Sequence, residues 1–222
     1  MRIVALLGPL ALAGCSVFGG QAAPEPEYDL VREDGAIEIR AYPELIVAKT
    51  TVAADSRDRA VGRGFNRLFD YISGANRAAE EIAMTAPVVI DDETEGGEEI
   101  PMTAPVVVDG PSAEEAEDGQ GRWTTMFILP EGTSLDTAPR PTEEAVSLDT
   151  IPARQVAVIR FSGFLDDKSV AEQRRALDDW LERQGIAHTG AWRSAGYNPP
   201  WTLPWLRRNE VMVPLAAEAT SG

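Results

Sequence analysis

The sequence predicts an α+β domain: one antiparallel, barrel-like sheet flanked by two helices. Three observations predict it. The order strand, strand, helix, strand, strand runs twice along the chain. Two segments carry apolar residues at helical spacing and end on glycine. The phrase Met84-Thr85-Ala86-Pro87-Val88-Val89 returns as Met102-Thr103-Ala104-Pro105-Val106-Val107, 18 residues on. One helix cannot cover a whole sheet, so the two halves are expected to pair into a single body.

In the first half, Ile37-Glu38-Ile39-Arg40 alternates apolar and charged residues, and residues 45–52 are rich in β-formers. Tyr42-Pro43-Glu44 stands between them as a turn. Val61, Phe65, Leu68, Phe69 and Ile72 then recur at helical spacing until Ser73-Gly74, which gives an amphipathic helix with a glycine stop. Residues 84–90 and 102–108 read as neighbouring strands joined by an acidic loop. Pro87 and Pro105 offer no N–H to a ladder, which places edges or bulges at those points. Residues 123–129 add a strand between the halves. In the second half, residues 146–148 and 155–161 read as strands separated by Ile151-Pro152. Ser169 and Glu172 form a capping box, and Val170, Leu177, Trp180 and Leu181 mark one helical face as far as Gly185. Two extended segments, 191–197 and 210–215, complete the set.

The chain opens with Arg2, an apolar run over residues 3–12, and then Ala13-Gly14-Cys15. About ten apolar residues fall well short of the roughly 20 that a membrane span needs, and Gly8 and Pro9 interrupt them. The run therefore reads as the apolar part of a cleaved signal peptide, residues 1–14. Small residues followed by cysteine resemble a lipobox, which implies a lipidated, palmitate-type anchor on Cys15, the only cysteine of the chain. Several acyl carbons at about 0.8 kcal/mol per buried CH₂ make such an anchor firm. Ser16, rather than Asp, follows the cysteine. By the same resemblance this favours an outer membrane, facing the periplasm, in an organism that has one. Residues 15–27 read as the lipidated cysteine and a flexible Gly/Ala/Pro tether, and residues 28–222 as one domain.

The charge balance is acidic, with 36 Asp+Glu against 20 Lys+Arg and a net charge of −16. Phosphates would be repelled, which argues against nucleic acid as a partner. Between Asp91 and Asp118 there are eleven carboxylates and no Lys or Arg. The acidic stretches 91–101 and 109–121 read as solvated loops; they lack the spacing of an EF-hand.

Several phrases then carry a family resemblance. They are Tyr28-Asp29-Leu30, Ile37-Glu38-Ile39-Arg40, Phe69-Asp70-Tyr71-Ile72-Ser73-Gly74-Ala75-Asn76 and Ile82-Ala83-Met84-Thr85-Ala86-Pro87-Val88. Further on come Phe127-Ile128-Leu129-Pro130, Phe161-Ser162-Gly163, Gly196-Tyr197-Asn198-Pro199-Pro200 and Arg207-Arg208-Asn209-Glu210-Val211. In order and spacing they resemble the SOUL / heme-binding protein family across the whole mature domain. The resemblance implies a distorted eight-stranded antiparallel barrel with two helices and internal pseudo-symmetry. It also implies heme, or a related tetrapyrrole, as the ligand, in an apolar cleft between the first helix and the loop after Tyr197. Carried over by position, Phe65, Leu68 and Phe69 come from the helix, and Tyr197, Trp201, Leu203 and Trp205 from the loop. Ordinary core packing is the favoured reading of the three helix residues, and lipid headgroups are an alternative neighbour for the tryptophans.

Relatives place basic residues near heme at positions that are Gly62, Asp70 and Thr202 here. That leaves Arg207 and Arg208 as candidates for the propionates. His188, the only histidine, is the candidate axial ligand, although it belongs to the second half, away from the cleft. No nucleophile elbow, metal-spaced cluster, Walker loop or dinucleotide fingerprint is present, so the chain is read as a binding protein and not as an enzyme. The readings carried forward are carriage or buffering of a tetrapyrrole, binding of another apolar small molecule, and an envelope interaction scaffold.

Overall fold

The computed structural model describes residues 23–77, 97–110 and 121–216. In chain order its elements are β1 (Asp29–Asp34), β2 (Ile37–Tyr42), β3 (Leu45–Ala54), α1 (Arg57–Ile72), β4 (Asn76–Arg77), β5 (Val106–Asp109) and β6 (Gly121–Ile128). They continue with β7 (Arg140–Pro141), β8 (Ser147–Ile151), β9 (Arg154–Phe161), α2 (Asp167–Gln184), β10 (Arg193–Gly196) and β11 (Asn209–Pro214). Nine strands form one antiparallel sheet in the order β1-β2-β9-β11-β10-β5-β6-β3-β8, and β4 pairs with β7 apart from it. The α+β class read from the sequence stands.

The closed eight-stranded barrel does not. The sheet has nine strands and two open edges, because β1 occupies the outer edge of β2 with Asp29 opposite Ala41 and Asp34 opposite Ile37. β2 is bonded to β9 on its other side, so no hydrogen-bonding edge is left on it for β8 to close against. The sequence reading had not marked residues 29–34 as a strand.

The face away from the helices curls inward, so that Tyr42, Val47, Met126, Val156 and Met212, from five strands, meet in one cluster. On the outer face α1 covers β3 and β6, and α2 covers β9 and β11. α1 turns Ala60, Gly64, Leu68 and Tyr71 to the sheet. A Cβ on Gly64 would lie 2.5 Å from Thr125 Oγ1, so only glycine permits this closeness. The apolar stripe read from the sequence is thereby rotated, which moves Phe65 and Phe69 to the flank of the buried face.

Two further readings are corrected. Asp166, not Ser169, caps α2: its carboxylate accepts the Ser169 N–H at 2.8 Å. A carboxylate serves better at the positive end of a helix. Gly185 (φ 66°) ends α2 as expected. In the second repeated phrase, regular pairing starts only at Val106. Before it the chain runs irregularly through Pro101 and Pro105, with the Ala104 N–H donating to Pro24 O at 2.8 Å. The first repeat at 84–90, the segment around Cys15 and most of both acidic stretches lie outside the described residues.

Candidate functional site

The loop between β10 and β11 projects from one end of the sheet, and hydrogen bonds pin it at its base and through its middle. Asn198 Oδ1 accepts the Arg208 N–H at 2.6 Å, and the Thr202 N–H donates to Pro199 O at 3.0 Å. A single 3-10 turn, Pro204–Leu206, follows. Arg207 braces the loop from within, donating from Nε to Thr202 O (2.8 Å) and from Nη2 to Pro200 O (2.6 Å). The neighbouring loop after β9 is stitched on by Gly163 N–H to Pro204 O at 2.8 Å and by Asn209 Nδ2 to Gly163 O at 3.1 Å. Arg207 also lies over the Phe164 ring at 5.4 Å.

These bonds hold the backbone in a shape that turns apolar side chains outward. Trp201 is 69% exposed, Trp205 68% and Phe164 60%, with Leu203 and Leu206 beside them. Five large apolar side chains exposed on two neighbouring, hydrogen-bonded loops are a feature that calls for a partner.

The helix candidates sit nearby but not equivalently. Leu68 is wholly buried and belongs to the core with Tyr71 and Phe127. Phe65 packs edge-on to Phe127 at 5.4 Å and stacks with Phe69 at 6.0 Å, and Phe69 is exposed. Phe127 stands opposite Val106, and Val106 opposite Gly196, the residue before the loop. Two strand spacings, about 10 Å, therefore separate the Phe65 support from the root of the aromatic loop.

Tyr197 points the other way, into the curled face, where it donates to Glu210 Oε2 at 2.5 Å. There it joins an ionic network that the sequence reading missed. Arg40 and Glu210 are both wholly buried and form a two-pronged pair at 2.9 and 3.0 Å. Arg40 also reaches Glu38 (2.6 Å) and Tyr42 (3.0 Å). Arg208 bonds Glu210 at 2.7 Å and Glu25 at 2.9 Å, over the face of Tyr197. Burial alone would raise the Glu210 pKa, but the hydrogen bonds and charge of Arg40, with Tyr197 and Arg208, outweigh it and hold the carboxylate below its ordinary value. Burial pushes the Tyr197 phenol well up. The available sequence signal was charge at alternate positions in an apolar strand, Glu38 and Arg40, together with the Arg208-Asn209-Glu210 phrase. Both candidate propionate partners are thus committed elsewhere, Arg207 to its loop and Arg208 to carboxylates.

His188 lies at the far end of β11, bridged to Leu215, on the order of 20 Å along the strand from Arg208. Its Nε2 bonds Asp178 at 2.9 Å, and its Nδ1 accepts the Gly190 N–H at 3.1 Å, so both ring nitrogens are engaged. Among the described residues no group of three or more His, Cys, Asp or Glu is placed to hold a metal.

A groove of about 720 Å³ runs between the two helices over β5, β10 and β11. It is walled by Trp123 and Trp192 and carries Arg57, Arg174 and Arg193 with Asp109 and Asp167. Arg57 bonds Leu165 O and Ser194 Oγ, each at 2.8 Å, and Arg193 holds Asp109 at 2.7 Å. Nothing in the sequence reading marked it.

An open antiparallel sheet backed by two helices defines the class, and solved structures share that fold. One is the C-terminal domain of EcmrR, at TM-score 0.50 and 15% identity, covering 85% of this chain and 98% of that one. Another is an uncharacterized conserved protein from Listeria innocua, at TM-score 0.52 and 12% identity, covering 81% and 92%. The SOUL heme-binding protein model matches residues 23–214, and the chain belongs to that family. It is 31% identical over 193 residues to Heme-binding protein 2 of Homo sapiens, covering 86% of this chain and 82% of that protein. To the protein of the same name from Mus musculus it is 29% identical over 190 residues, covering 85% and 81%.

Proposed function

We propose that this chain is an exported, lipid-anchored protein that binds heme or a related tetrapyrrole for carriage or buffering, without catalysing a reaction. One observation carries the reading: a rigid loop pair holds Trp201, Trp205 and Phe164 out of the core, in a member of a family described by heme binding. Flat indole and phenyl faces suit a planar apolar macrocycle. Pro199, Pro200 and Pro204 stiffen the loop, and the stacked Phe65–Phe69 pair offers a second wall. Heme would supply the iron and the apolar plane. Trp201 and Trp205 would orient it by their faces, while Arg207 is taken up in bracing the loop itself. No histidine is placed to ligate, since His188 is held by Asp178 and Gly190. A ligand held by its faces exchanges readily, which suits transfer.

Exchanging β2 with β8, β3 with β9, β6 with β11 and β5 with β10 leaves the order of these eight strands unchanged on reading the sheet from its other end. This supports descent from a duplicated unit. The inter-helix groove favours a second reading, in which another small amphipathic molecule binds there.

Hemin titrated into the full-length protein is expected to give a saturable, stoichiometric Soret band. The Trp201→Ala/Trp205→Ala variant should bind at least tenfold more weakly, and His188→Ala should bind unchanged. No band at micromolar hemin sinks the reading, and equal losses in both variants move the site. Cys15→Ser should abolish acylation, read from intact mass.

A further inference from the structure

The chain enters the domain at the same end of the sheet from which the aromatic loops project. Glu25 is tied to Arg208 by bonds of 2.9 and 3.0 Å, and Arg208 is the residue after Arg207, which braces the tryptophan loop. Pro24 O accepts the Ala104 N–H at 2.8 Å, next to the start of β5, whose Val106 stands opposite Gly196. The tether is therefore fastened at the root of the loop that carries Trp201 and Trp205. Cys15 is ten residues before Glu25, and ten residues reach at most about 35 Å when fully extended. A lipid on Cys15 brings the bilayer within that distance of this end, whereas His188 and the C-terminus of α2 lie toward the other.

Exposed tryptophans are enriched where protein meets the headgroup layer, since the indole has an apolar body and one polar N–H. Three aromatics and two leucines on pinned loops fit such a surface without a folding step and without the entropy of ordering a mobile loop. Charge does not drive the contact. The chain carries a net −16, and the arginines at this end are already bonded to Glu25, Glu210 and backbone carbonyls.

We propose that the end of the domain bearing Phe164, Trp201 and Trp205 rests in the headgroup layer of the bilayer that holds the Cys15 lipid, by apolar insertion that does not depend on anionic lipid. The domain is then oriented on the membrane and not merely leashed to it. If the same ridge takes a tetrapyrrole, that ligand arrives from the bilayer itself; only this last clause rests on the tetrapyrrole reading.

The test uses the protein purified from its native membrane, with the acyl chains on Cys15 verified by intact mass, reconstituted into phosphatidylcholine vesicles with and without acyl-brominated lipid. Five tryptophans are present, and bromine quenches those that reach the bilayer. A substantial fraction of the emission should be quenched in the wild type and several-fold less in Trp201→Ala/Trp205→Ala, whose circular dichroism should match the wild type. Adding phosphatidylglycerol or 0.5 M salt should change nothing. Equal quenching in both proteins, absence of quenching, loss of quenching in salt, or no acyl mass on Cys15 would each overturn the proposal. Hemin titration in detergent is read separately, so a failure to bind heme leaves the quenching result standing.

Discussion

The curled face and the projecting loops reverse the usual allocation of side chains. Inside lie Arg40 and Glu210, fully buried charges, and outside stand Trp201, Trp205 and Phe164, each more than half exposed. Every charge of the inner network has a partner, as buried ions require, while among the described residues Trp201 and Trp205 stack on no other ring or cation and stand mostly in solvent. The difference teaches where to look for function. Paired buried charge is a matter of folding, and unpaired exposed apolar surface is a matter of binding.

Substitutions can break this contrast from either side. The largest expected effect is in the network: Glu210→Ala leaves Arg40 buried without its two-pronged partner and should destabilise by about 3–5 kcal/mol. Urea unfolding would measure it, and a loss under 1 kcal/mol would mean that water reaches Arg40. Next comes acid. Glu210 and Glu38 are both held below their ordinary carboxylate values, against the opposing effect of burial, by bonds to arginine. Their contribution is present above the unfolded pKa and is lost as pH falls through the folded one, so stability should drop steeply below about pH 4.5. Glu25 has the opposite sign, its pKa being raised mainly by burial, so Glu25→Gln should steepen the acid loss slightly rather than flatten it. The smallest effect on folding belongs to Trp201→Ala/Trp205→Ala, expected within about 0.5 kcal/mol as for exposed sites, although by the proposed reading this variant should bind hemin more weakly. A thermal melt displaced by many degrees would show instead that the ridge is structural.

Much of this architecture could be read from the sequence, because periodicity reports elements directly. Val170, Leu177, Trp180 and Leu181 gave the face of α2, and Gly185 its end. What periodicity cannot tell is which face of a strand lies inside. Ile37-Glu38-Ile39-Arg40 reads as a strand either way, and only the curl of the sheet buries its charges. Small residues hide in the same manner. Ala60 and Gly64 carry no hydrophobic signal, yet they set the roll of α1 and so decide that Leu68 is core while Phe69 is surface. At the site, the family resemblance pointed to the tryptophan loop, but it could not show that Arg207 is turned inward to hold that loop.

β1 bears on how copies of the chain meet. If the proposed anchor holds them on one membrane, they diffuse in two dimensions and meet side by side, where an unpaired strand edge invites a neighbour to add its own. All six residues of β1 are exposed, and four of them, Asp29, Arg32, Glu33 and Asp34, are charged. A second copy docking there would set carboxylates against each other on a strand too short to repay the cost. The strand that keeps the barrel from closing thus also discourages the open sheet from growing into its neighbours.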